Sequence, residues 1–147
     1  MNRQKLKIMV VDDSKLVLER LRYVLERNGH AVMLRESSLG TVSAVLKERP
    51  DVLILDVSMP ALDGNRLASL VAEVTQDVTL ILHSAREERE LEELALASNA
   101  HGYIKKSNDS LQFMQQFNNI VYADRASRTG EPISEVMKTP SGKQRAQ

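Results

Sequence analysis

The 147-residue chain contains no cysteine and no tryptophan. Without cysteine there is no disulfide scaffold, no cysteine-based zinc site and no thiol nucleophile. Aromatic residues are scarce, with two Phe and three Tyr, too few to build stacking platforms for single-stranded nucleic acid. An excess of charge of either sign is lacking as well. The 20 Lys plus Arg balance 20 Asp plus Glu, and that balance points neither to a nucleic-acid binder nor to a polybasic membrane anchor. Long apolar runs are also missing. The N-terminus, MNRQKLKIMVVDDS, has an apolar run that soon meets two carboxylates, too short for a signal peptide or a membrane span. The expectation is one cytoplasmic domain of ordinary size that binds neither nucleic acid nor membrane.

Five short apolar runs recur: KIMVV (7–11), HAVMLR (30–35), DVLILD (51–56), VTLILH (78–83) and GYIKK (102–106). The segments between them carry helical spacing. After Ser14, a candidate N-cap, Val17, Leu18, Leu21, Val24 and Leu25 repeat until Asn28-Gly29 stops the helix. A second helix is expected from about Leu39 to Lys47, and a third from near Asn65 with Leu67, Leu70, Val71 and Val74 as its stripe. The fourth spans about Glu87 to Ser98, with Leu91, Leu94 and Ala95 facing in; the fifth starts near Ser110 and uses Leu111, Met114, Phe117 and Val121. Five strand–helix alternations with short connections imply parallel strands and right-handed crossovers. The fold class is therefore α/β, an open doubly wound sheet between helices. From Asp124 the pattern dissolves into Gly, Pro and scattered charge, which reads as residues 1–123 folded and 124–147 a flexible tail or linker.

Ligands of such sheets bind outside the carboxyl ends of the strands. The first strand ends in Asp12-Asp13, the third in Asp56, the fourth in His83-Ser84, and the fifth leads to Lys105-Lys106. Three carboxylates, a hydroxyl and a lysine thus share one rim. Carboxylates this close raise one another's pKa unless something neutralises them, and a hard divalent cation such as Mg²⁺ prefers such oxygen ligands. An Asp left with a free oxygen beside the metal is a candidate nucleophile for phosphoryl transfer, a reaction that chiefly needs positioning and charge neutralisation.

With these pieces in order, the chain resembles the receiver domains of two-component response regulators. The matching stretches are VVDDS, LILDVSMPALDG, ILHSA and GYIKKS, covering roughly residues 6 to 122. The resemblance implies a flavodoxin-like (βα)5 fold with strand order 2-1-3-4-5. It implies Asp56 as phosphoacceptor from a histidine kinase or a histidine phosphotransfer protein. It further implies Asp12, Asp13, Asp56 and the Ser58 main-chain carbonyl as Mg²⁺ ligands, with Ser84, Tyr103 and Lys106 as hydroxyl, switch aromatic and lysine. Phosphorylation would then reshape the face of the fourth helix, fifth strand and fifth helix for an output protein, the chain being a monomer or weak dimer and no metabolic enzyme. One departure is Lys106-Ser107 where the family usually has Lys-Pro. Two other readings stand beside this one. A pseudo-receiver would keep the fold as an interaction module without phosphorylation. A phosphatase of the haloacid type would want two aspartates one residue apart after the first strand, whereas here they are adjacent.

Overall fold

Side-chain alternation along the strands decides how the layers assemble. In a computed structural model, which describes residues 4–58 and 64–130, the five apolar runs form β1 (Lys7–Val11), β2 (Ala31–Arg35), β3 (Val52–Asp56), β4 (Thr79–Ser84) and β5 (Gly102–Lys105). Between and after them lie α1 (Lys15–Arg27), α2 (Thr41–Glu48), α3 (Gly64–Val74), α4 (Glu88–Ser98) and α5 (Ser110–Thr129). The strands are all parallel, in the order β2-β1-β3-β4-β5. The doubly wound fold is as the apolar pattern implies, and the strand order is the one the resemblance implies.

Ile8, Val10, Val52, Ile54, Ile81 and Ile104 face one side and pack with Leu18, Leu21 and Leu25 of α1 and Phe113, Phe117 and Val121 of α5. Their neighbours in sequence, Met9, Val11, Leu53, Leu55, Leu80 and Leu82, face the other side against Val45 of α2, Leu67 and Val71 of α3, and Leu91 and Ala95 of α4. Both faces of the central strands are covered, which is why DVLILD is apolar without interruption. β2, at an edge, is only half-buried. At the opposite edge, a Cβ on Gly102 would stand 2.7 Å from the Ile120 side chain, so only glycine lets α5 lie this close to β5.

Two differences from the sequence reading lie in α5. Leu111 is 85% exposed, and the inward stripe is Phe113, Met114, Phe117 and Val121. At 3.6 residues per turn, Leu111 lies roughly 100° round from the centre of that stripe. The helix also runs past residue 123 to Thr129. Ala126 is buried there, and Asp124 accepts a 2.5 Å hydrogen bond from Thr79 Oγ1 and pairs with Arg128. Charged residues on this inner turn conceal it from a hydrophobic pattern. The rest of the expected tail, from residue 131, lies outside the described residues, as do Pro60 and Asp63 of the expected turn.

Candidate functional site

Parallel register brings the strand ends level. Asp56 pairs with His83 across β3 and β4, and Ser84 pairs with Lys105 across β4 and β5. Asp12 and Asp13 follow directly on β1, beside β3. Each of Asp12, Asp13 and Asp56 offers a carboxylate oxygen, and these oxygens lie within 4.8 Å of one another. Asp12 and Asp56 are almost fully buried, at 1% and 2% exposure, while Asp13 is exposed.

These carboxylates are not needed to cap α1. Ser14 does that, its hydroxyl accepting the Val17 amide at 3.3 Å. Asp12 Oδ1 accepts the Ser14 amide at 2.9 Å, and Asp56 Oδ1 accepts the Ser58 amide at 2.8 Å. Each buried carboxylate therefore has one oxygen held by backbone and the other turned to Lys106. The ammonium lies 3.0 Å from Asp12 Oδ2 and 3.3 Å from Asp56 Oδ2. Burial, aided by the nearby negative charge of Asp56, lifts the Asp12 carboxyl above its ordinary value, against the pull of the Ser14 amide and Lys106. For Lys106, burial acts to lower the pKa, but the close approach of Asp12 and the charges of both carboxylates carry it above the ordinary lysine value. One ammonium among three carboxylates leaves the cluster short of positive charge.

That shortage is what a hard cation fits. Asp12 Oδ2 is buried and, among the described residues, accepts no hydrogen bond of good angle; Lys106 is its counter-charge. An all-oxygen donor set of clustered carboxylates is the chemistry Mg²⁺ prefers. The residues present therefore fit the metal.

Lys106 is positioned by its main chain. Its amide donates to the Ser84 carbonyl at 2.8 Å, extending the β4–β5 ladder. No peptide bond among the described residues is cis, so the Lys106-Ser107 bond is trans and the lysine still reaches both carboxylates. On the far side of that bond, Arg20 of α1 donates to the Ser107 carbonyl. Arg20 is absent from the sequence reading, since 87 positions separate the partners and no local motif links them.

Ser84 is fully buried. Its hydroxyl lies 2.6 Å from that of Ser58 and accepts the Arg86 amide at 3.1 Å. Tyr103 is half-buried against α4, with its hydroxyl donating to Glu88 Oε2 at 3.3 Å. The three histidines act in packing and support. His30 accepts the Leu6 amide at 3.1 Å, and His101 accepts the Leu80 amide at 2.9 Å. His83 lies edge-on to Phe113, and burial, reinforced by the charges of Lys106 and Arg20, pushes its imidazole down to about 3. No helix among the described residues is long and apolar enough to cross a membrane.

Comparison with known proteins agrees with this geometry. A family model described as response regulator receiver domain matches residues 8–118. The chain is 33% identical over 101 residues to Response regulator MprA of Mycobacterium avium (strain 104), a match covering 69% of this chain and 44% of that protein. It thus spans less than half the length of such curated relatives. A response regulator receiver protein from Burkholderia phymatum is 30% identical, with a TM-score of 0.66 over 78% of this chain and 93% of that one. A CheY-like receiver domain protein from Methanospirillum hungatei JF-1 shares the fold, with a TM-score of 0.76 over 84% and 99% of the two chains at 17% identity.

Proposed function

This chain belongs to the response regulator receiver domains of two-component signalling, and from that premise we propose that Asp56 is its phosphoacceptor. The donor is a histidine kinase or a histidine phosphotransfer protein, the reaction depends on Mg²⁺, and the setting is the cytoplasm. The observation that carries the reading is the clustering of Asp12, Asp13 and Asp56 oxygens within 4.8 Å around one lysine.

In the transfer, an Asp56 carboxylate oxygen attacks phosphorus as the P–N bond of the donor phosphohistidine breaks. The imidazole leaves with the electron pair and takes up a proton. Asp12, Asp13, Asp56 and the Ser58 main-chain carbonyl would hold Mg²⁺, whose chemistry when bound is to offset negative charge on the phosphoryl oxygens. Lys106, already 3.3 Å from Asp56 Oδ2, exchanges its carboxylate contact for a phosphoryl oxygen. Attack by water on the acyl phosphate later releases inorganic phosphate and restores Asp56. No other chemistry is assigned; the domain is a switch rather than a metabolic enzyme.

The Ser84 hydroxyl is held by Ser58 in the present arrangement. A phosphoryl group on Asp56 offers it a charged and therefore stronger acceptor. Movement of Ser84 toward that acceptor opens space at the end of β4, and Tyr103 gives up its exposed bond to Glu88 to turn inward. The affected surface is α4, β5 and α5, where an output protein docks.

Intact mass after incubation with acetyl phosphate tests the reading. A gain of one phosphoryl group that requires Mg²⁺ and is absent from Asp56→Asn supports it. No gain under any condition overturns it.

A further inference from the structure

The geometry points to Arg20 as a positioning residue that acts on phosphoryl transfer through Lys106; this inference rests on the phosphoacceptor reading of Asp56. The lysine side chain needs a fixed base if its ammonium is to meet a phosphoryl group. Its main chain is tied on one side only by β-ladder pairing, the Lys106 amide donating to the Ser84 carbonyl at 2.8 Å. The segment then leaves the sheet. Ser107 and Asn108 are exposed, and a serine at position 107 does not restrict the preceding residue as a proline would.

The Ser107 carbonyl instead receives the Arg20 guanidinium from α1. Beyond it, the Ser107 hydroxyl accepts the Asp109 amide at 3.2 Å, and Asp109 caps α5 by accepting the Gln112 amide at 3.0 Å. The chain from β5 into α5 is thus pinned at each step, and beyond the ladder bond to Ser84 the pin on the Ser107 carbonyl comes from Arg20 of α1. Arg20 sits on the second turn of α1, one residue before the buried Leu21. The base of the arginine is therefore held on a helix whose Leu21 is buried in the core, while its head reaches the loop. Among the described residues the Arg20 guanidinium forms its hydrogen bond to the Ser107 carbonyl and no ion pair with Asp12 or Asp56, so its hold on the site runs through the loop.

The test measures initial rates of phosphoryl uptake from acetyl phosphate in Mg²⁺, a donor that needs no protein docking surface. The chains compared are the native one, Arg20→Met, Arg20→Lys, Lys106→Met and the Arg20→Met/Lys106→Met pair. Mg²⁺ affinity is followed by calorimetric titration. Misplacement of a reacting group by the order of 1 Å costs up to about 100-fold in rate. Arg20→Met is therefore expected to slow uptake at least about tenfold, with Arg20→Lys restoring part of the loss. Its Mg²⁺ affinity should be unchanged or tighter, because a looser Lys106 competes less for the carboxylates. Once Lys106 is Met, removal of Arg20 should cost nothing further.

Equal rates for native and Arg20→Met chains overturn the inference alone. So do full additivity in the double variant and a parallel fall in Mg²⁺ affinity, either of which marks a general disturbance of the domain. Failure of the native chain to take up a phosphoryl group overturns the Asp56 reading, and this inference with it.

Discussion

Both ends of the sheet carry buried carboxylates, and the two ends treat them differently. At the amino end, Asp51 accepts the Lys7 amide at 2.8 Å. Asp124 answers Thr79, Arg128 and, at 3.3 Å, His101. Each charge there has its own partners, and the group ties α5 to the start of β4. At the carboxyl end, three carboxylates cluster beside one lysine that pairs with two of them, and Asp12 Oδ2 accepts no well-angled hydrogen bond among the described residues. The same residue types are structural where they are compensated and available for chemistry where they are not. Uncompensated burial is costly, so its retention at one end marks the place where a ligand and a phosphoryl group complete the charge balance.

Loss of the uncompensated end should abolish function without weakening the fold. Asp56→Asn is expected to eliminate phosphoryl uptake entirely while its melting temperature in Mg²⁺-free buffer stays level or rises, since one of three repelling charges is gone. A marked fall in melting temperature would place Asp56 among the structural carboxylates. The reverse holds at the amino end. Asp124→Ala removes the acceptor of the Thr79 hydroxyl and the carboxylate partner of Arg128, which keeps its bonds to the Asp77 carbonyl and Thr79 Oγ1, and should cost about 2–3 kcal/mol in urea unfolding with the rate of phosphoryl uptake unchanged. An effect on that rate would break the separation between the two ends.

An effect of similar size, confined to acid pH, follows from His83, which pairs with Asp56 at the functional end. Its folded value of about 3 is below the ordinary 6.5, so the unfolded chain takes up the proton first as pH falls. The stability involved is complete above pH 6.5 and is lost between about 6.5 and 3, at up to about 1.4 kcal/mol per pH unit. Urea unfolding of His83→Leu between pH 6 and 4 should show that part of the slope removed. The least effect is expected at the rim. Tyr103→Phe deletes one exposed bond to Glu88 and should change stability by no more than about 0.5 kcal/mol.

The fold was legible in the sequence because covering a strand on both faces demands an unbroken apolar run, and five such runs alternating with amphipathic segments leave few topologies. The rim residues were legible for a related reason. In a parallel sheet every strand presents its carboxyl end on the same side, so Asp12, Asp13, Asp56, Ser84 and the Lys105-Lys106 pair fall together once the strands are placed. Leu111 misled because a leucine beside a helical stripe satisfies the spacing without facing in. The last turns of α5 were missed because Asp124 and Arg128 look like tail residues until their partners on β4 are known.

Local order along the chain, then, settled which segments are strands, which ends carry the carboxylates and that a lysine pair closes the fifth apolar run, the choice of Lys106 resting on the resemblance. Only the folded structure decided which oxygens remain uncompensated, that Ser84 rests against Ser58, and that Arg20 reaches the Ser107 carbonyl. Backbone propensity and apolar period act over neighbouring residues and can be read in order. Charge balance and hydrogen bonding join groups far apart in sequence, and exist only once the chain has brought them within about 3 Å of one another.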